Sequence, residues 1–121
     1  MVGLLTPSDV FHLHPKIRWA AFSADGSVVF SEMRSGVESL TEESEDKAFM
    51  ELGPLFMTSI AERLTPGGKA GRLESVIACF EKDCVMLVGV KGGHLAFSVD
   101  TVDAFSVFQD ILPGLAKLRE V

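Results

Sequence analysis

The chain has 121 residues, 47% of them hydrophobic and 23% charged, and a formal net charge of −6. That balance supports a buried core in one domain and excludes a disordered chain. The acidic surface disfavours nucleic acid and docking on anionic lipid. Met1–Leu5 lacks a basic, then apolar, leader pattern, and the longest apolar runs are only strand-length. We therefore expect no signal peptide and no membrane span, and a cytoplasmic protein.

Residues 1–16 read as a short irregular N-terminal segment. Thr6-Pro7-Ser8-Asp9 has the chemistry of a helix start, and Pro15 would stop it after one or two turns. Ile17–Ser23 and Val28–Met33 are rich in strand formers, and Asp25-Gly26 between them is a hairpin signal.

A helical pattern runs from about Ser44 to Leu64. Thr41 or Ser44 is the expected cap, and Glu42, Glu43, Glu45 and Asp46 favour the positive end of the helix dipole. Phe49, Leu52, Phe56 and Ile60 form one stripe, read here as the buried one. Met50, Met57 and Ala61 form a second stripe beside it. The combined apolar arc covers roughly half the circumference, wider than one contact with a sheet needs. One face would cover the sheet, and the other needs the second helix or a partner subunit. Pro54 should kink the helix.

Thr65–Gly71 is a Pro/Gly loop. Its Gly67-Gly68-Lys69 is no phosphate loop, because Ala70 follows and a strand, not a helix, comes next. Leu73–Phe80, Cys84–Val90 and Leu95–Val99 then read as a three-stranded meander. Cys84–Val90, apolar nearly throughout, is expected at the centre of the sheet. Leu95, Phe97 and Val99 should face one side, with Ala96 and Ser98 opposite. The last helix starts near Asp100 or Thr101. Ala104, Phe105, Phe108, Ile111, Leu112 and Leu115 should form its apolar face, and Pro113-Gly114 should end or kink it.

No cluster announces a chemistry. Cys79 and Cys84 flank one tight turn and face each other if all four middle residues form the loop. Reduced, buried thiols are the expectation over a disulfide. His12, His14 and His94 are read as surface histidines rather than metal ligands. No Gly-x-Ser-x-Gly elbow or dinucleotide fingerprint is present. No carboxylate stands alone in an apolar strand, where desolvation would tune it. We expect no enzyme, no cofactor and no metal.

The order β-β-α-β-β-β-α, the Asp-Gly hairpin and the Glu81-Lys82-Asp83 hairpin resemble the roadblock/LC7 family over about residues 17–115. Leu13-His14-Pro15-Lys16-Ile17-Arg18 and Met33-Arg34-Ser35-Gly36-Val37-Glu38-Ser39-Leu40 also resemble uncharacterised archaeal proteins of a roadblock-like group. The resemblance implies an α+β fold. Its five-stranded antiparallel sheet has a long helix between strands 2 and 3 and a helix at the C-terminus. It implies a non-catalytic dimeric scaffold or regulator that binds a small Ras-like GTPase. It places the third strand at the sheet edge, paired with its twin. Met50, Met57, Ala61, Arg72, Glu74, Val76 and Ala78 would then form the dimer interface, most simply of a homodimer. Roadblock proteins usually begin with a full helix; here sixteen residues, with prolines at positions 7 and 15, precede Ile17, so that helix is not expected in full. The alternative reading is a PAS/GAF-like sensor domain holding a small ligand among Trp19, Met50, Met57 and Phe97.

Overall fold

A computed structural model describes residues 5–64 and 68–120 of the chain. The expectations for Met1–Leu4 and for Thr65–Gly67 lie outside the described residues. A short helix α1 (Pro7–Phe11) precedes strands β1 (Trp19–Ala24) and β2 (Ser27–Met33). The long helix α2 (Glu43–Arg63) is followed by β3 (Ser75–Cys79), β4 (Asp83–Val90) and β5 (Gly93–Asp100). A single 3-10 turn, Thr101–Asp103, leads into α3 (Ala104–Glu120). The five strands form one antiparallel sheet in the order β2-β1-β5-β4-β3.

Local chemistry sets the ends. Thr6 and Asp9 form a reciprocal capping box at α1, and Pro7 fills its first turn. Asp25 and Gly26 take φ of 52° and 79°, the left-handed pair that a two-residue hairpin turn needs. At α2 neither Thr41 nor Ser44 is the cap. Glu42 holds that position, and its backbone N–H donates to Glu45 Oε1 at 3.0 Å. The Thr41 hydroxyl instead donates to Asp46 Oδ1 at 2.6 Å.

The sheet separates two cores. On one face α1 and α3 cover Ala20, Met86, Val88, Leu95, Phe97 and Val99. On the other, α2 lays Met50 and Met57 over Trp19, Ala21, Val85, Leu87 and Ala96. Leu95, Phe97 and Val99 thus share one face and Ala96 takes the other, as their alternation predicts.

Four expectations need correction. The central strand is β5, not Cys84–Val90; β4 is apolar after Asp83 because helices cover both of its faces. The α3 face that packs is Ala104, Val107, Phe108, Ile111 and Leu115, whereas Phe105 and Leu112 are exposed. Pro113-Gly114 does not end α3, which runs on to Glu120. Burial of Leu115 and close packing of Gly114 on Leu13 hold the turn after the proline in place. Last, Cys79 and Cys84 are directly opposed in the β3–β4 register and joined as a disulfide. Phe80 N–H donates to the Asp83 carbonyl at 2.7 Å, which tightens the turn to Glu81-Lys82 and brings the sulfurs together.

Candidate interaction surface

The two stripes of α2 exchange roles relative to their sequence reading. Met50 and Met57, placed at a dimer interface by resemblance, are 2% and 5% exposed and belong to the core. Leu52 and Phe56, read as buried, are 63% and 57% exposed. The reason is Gly53. A Cβ there would lie 3.0 Å from Leu87 Cδ2, so the glycine lets the helix settle on β4 along Met50–Gly53–Met57. The signal was present as a small residue between two methionines at spacings of three and four.

Strand β3 lies at the sheet edge, paired with β4 on one side and with nothing on the other among the described residues. Of the other proposed interface residues, Arg72, Glu74 and Ala61 are exposed and Val76 and Ala78 half-buried. Val76 packs toward α2, and Ile77 points to the other face, 46% exposed. An open edge with apolar side chains is a template for pairing with another chain.

An open groove of about 900 Å³ lies between α2, the 39–41 segment and the 80–83 turn that joins β3 to β4. Trp19, Phe49 and Val85 lie deep in it, and Leu40, Leu52, Phe56 and Phe80 line its mouth. Trp19 packs edge-on to Phe49 and donates its indole N–H to Ser31 Oγ at 3.0 Å.

The polar end of the groove holds Arg18, Glu45, Asp46 and Asp83. Arg18 is already engaged, with Asp100 at 3.2 Å and the Glu38 carbonyl at 2.8 Å. Asp83 is not. Its Oδ1 is buried and accepts no hydrogen bond among the described residues. Desolvation, helped by the charges of Asp100 and Asp46 and opposed by Arg18, pushes its pKa up to about 6. Burial also raises the pKa of Asp46. The sequence reading found no tuned carboxylate. Asp83 was missed because it stands at a strand end beside a turn, where solvent exposure is the ordinary expectation.

The other candidates divide. His12 is exposed, His14 lies 3.5 Å from Asp110, and burial lowers the pKa of His94. Among the described residues no group of His, Cys, Asp and Glu is placed to hold a metal ion. The four residues of the small-ligand alternative are not gathered in one cavity. Trp19, Met50 and Met57 lie under α2, whereas Phe97 is on the opposite side of the sheet against Phe108.

The two segments resembling archaeal proteins meet in space. The Arg34 guanidinium donates to the carbonyls of Ile17 at 2.7 Å, His14 at 2.8 Å and Phe11 at 2.9 Å. It also stacks 4.9 Å from the Phe11 ring centre.

No protein-family model and no curated protein sequence matches the chain. Solved structures do. An MglB described as having a tetrameric arrangement has a TM-score of 0.61 at 12% identity, over 99% of this chain and 93% of that one. The gliding protein MglB from Thermus thermophilus has a TM-score of 0.63 at 11% identity, over 97% and 94%. Myxococcus xanthus MglB has a TM-score of 0.56 at 10% identity, over 92% and 94%. This chain therefore has the roadblock-like fold of MglB, a likeness of fold across nearly the whole of both chains.

Proposed function

We propose that this chain is a non-catalytic, dimeric regulator or scaffold that binds a small Ras-like GTPase in the cytoplasm. The observations that carry it are the outer edge of β3, unpaired among the described residues, and the exposed apolar stripe on α2. Isolated exposed leucines are ordinary, but an open strand edge on the same small domain as exposed Leu52, Leu55 and Phe56 leaves surface for a partner to cover. The MglB fold supports the GTPase reading by analogy, since fold constrains function only through the sites it carries. Arg72, Glu74, Val76 and Ala78 lie on or just before the pairing strand, with Ala61 near the end of α2. Among the described residues no helix is long and apolar enough to cross a membrane. The local likeness to archaeal roadblock-like proteins belongs to this reading.

Two measurements test it. Light scattering over a tenfold dilution should give twice the chain mass; a monomer at micromolar concentration would remove the dimer. Binding to each Ras-like GTPase of the source genome should then be measured with GDP and with a GTP analogue. The reading expects at least one GTPase to bind with a nucleotide preference. Silence from all of them in both states would end it.

A further inference from the structure

The Cys79–Cys84 disulfide joins β3 to β4 at their last residue pair before the turn. Its two cysteines have opposite surroundings. Cys84 is 0% exposed and belongs to the core under α3, whereas Cys79 is exposed at the end of the outer strand. The Cys79 side is therefore the one that a dissolved thiol reaches. The bond spans a sequence separation of only 5, so the folded chain gains little from keeping it. Exposed disulfides of this kind are the ones that thiol exchange opens, while shielded ones serve as permanent staples.

The surroundings also provide for the open form. Thr101 Oγ1 lies 3.7 Å from Cys84 Sγ. The Thr101 hydroxyl donates its own hydrogen to the Phe80 carbonyl at 2.9 Å, so its lone pairs are left to accept the hydrogen of a Cys84 thiol. A free thiol at position 84 thus has apolar neighbours and one partner, which suits a buried cysteine.

The turn that the disulfide pins is also a wall of the groove. Phe80, Glu81, Lys82 and Asp83 all line it, with Trp19 deep inside. Free thiols cannot stay as close as bonded sulfurs. Cys84 is held by the core, so Cys79 is the residue that gives way when the bond opens, and Phe80 follows it in the chain.

We propose that Cys79–Cys84 is a reversible thiol–disulfide site, opened by small thiols and closed by their disulfides, whose state sets the position of Phe80 at the groove. It stands apart from the dimer and GTPase reading. The reduced thiols expected from the sequence and the disulfide in the structure are then two states of one site. In the opening step the thiolate of a small thiol attacks Cys79 Sγ. A mixed disulfide forms on Cys79, the Cys79–Cys84 bond breaks, and the Cys84 sulfur leaves as a thiolate that takes a proton from water. A second small thiolate attacks the outer sulfur of the mixed disulfide and releases Cys79 as a thiolate, which is protonated in turn. The pair gains two electrons and two protons, and two small thiols become one small disulfide. Closing runs the same steps in reverse.

The test uses the wild-type full-length chain in glutathione buffers of graded reduced-to-oxidised ratio, with free thiols alkylated and read by mass. Disulfide and dithiol should both be populated within the series. Acid quenching during the opening step should capture glutathione on Cys79 at least tenfold over Cys84. Trp19 is the single tryptophan, so its emission reports on the groove and should shift between the two ends of the series. Cys79→Ser has no bond to open and should show no shift. A chain that stays a disulfide in reduced glutathione alone, or a dithiol in oxidised glutathione alone, would overturn the site. Glutathione captured mainly on Cys84 would overturn the direction of attack. Conversion of the pair with unchanged Trp19 emission would overturn the link to the groove. Each of these results is read in the same way whether the chain is a monomer or a dimer.

Discussion

Gly53 lies close against Leu87: a Cβ at position 53 would stand 3.0 Å from Leu87 Cδ2, so any side chain there makes Leu87 shift. This contact sets how closely α2 approaches β4, and through that which stripe of the helix is buried. In Gly53→Ala a helix-propensity gain of about 1 kcal/mol opposes the shift forced on Leu87, and the net change should be near zero. Gly53→Leu forces the helix off the sheet and should cost about 1–3 kcal/mol. Urea unfolding measures both, and a Gly53→Leu variant as stable as wild type would refute this packing.

Asp83 gives a pH signature in the single chain. Its folded pKa, about 6, is above its ordinary value of 3.8, so the folded state holds the proton more tightly. The contribution to stability is fully present below about pH 4 and is lost as pH rises through 6. Because the group is half-buried, solvent screening leaves about 1 kcal/mol of the effect. Asp83→Asn should therefore stabilise the monomeric chain at pH 7 and not at pH 4. Melting temperatures across that range, at a dilution where the protein is monomeric, will show it. An equal effect at both ends of the range would mean that the carboxyl is solvated.

Arg34 donates to three main-chain carbonyls in three different turns of the N-terminal segment. Lysine cannot reproduce that planar fork. Arg34→Lys should lose at least two of the bonds and about 2–3 kcal/mol. Amide exchange should accelerate first around α1, before the sheet is affected. Uniform loss of protection across the chain would contradict a local role.

The Cys79–Cys84 bond closes a very short loop, so chain entropy gives it only about 2 kcal/mol. The two serine variants should differ. Cys79 is exposed, and Cys79→Ser loses the link alone. Cys84 is 0% exposed, and Cys84→Ser also buries a hydroxyl, adding about 1–3 kcal/mol. Thermal unfolding under oxidising conditions ranks them, and the reverse order would sink the burial argument.

The order of the elements and the hairpin turns could be read directly from the residues, because they rest on local chemistry: Asp25-Gly26, Thr6-Pro7 and the alternation at Leu95–Val99. What could not be read depends on the distance between elements. Leu52 and Met50 are equally apolar to a periodicity argument, and only the approach permitted at Gly53 decides which one is buried. Phe105 sits in the right sequence pattern, yet is 85% exposed because the sheet beneath α3 is met by Val107 and Phe108. Asp83 carries its perturbed proton affinity through neighbours 17 to 65 residues away in sequence, Asp100, Arg18 and Asp46, which no local window contains.

The Arg34 clamp has a consequence beyond stability. The main-chain N–H of Arg34 donates to the Arg18 carbonyl, and the Arg18 guanidinium holds the Glu38 carbonyl just before Ser39, Leu40 and Thr41. Those three residues are the outer wall of the groove. The amino-terminal ribbon and that wall are thus tied through one pair of arginines, like a tent flap and its guy line. Trimming the chain ahead of its first strand slackens the wall, so an amino-terminal truncation is also a groove mutation.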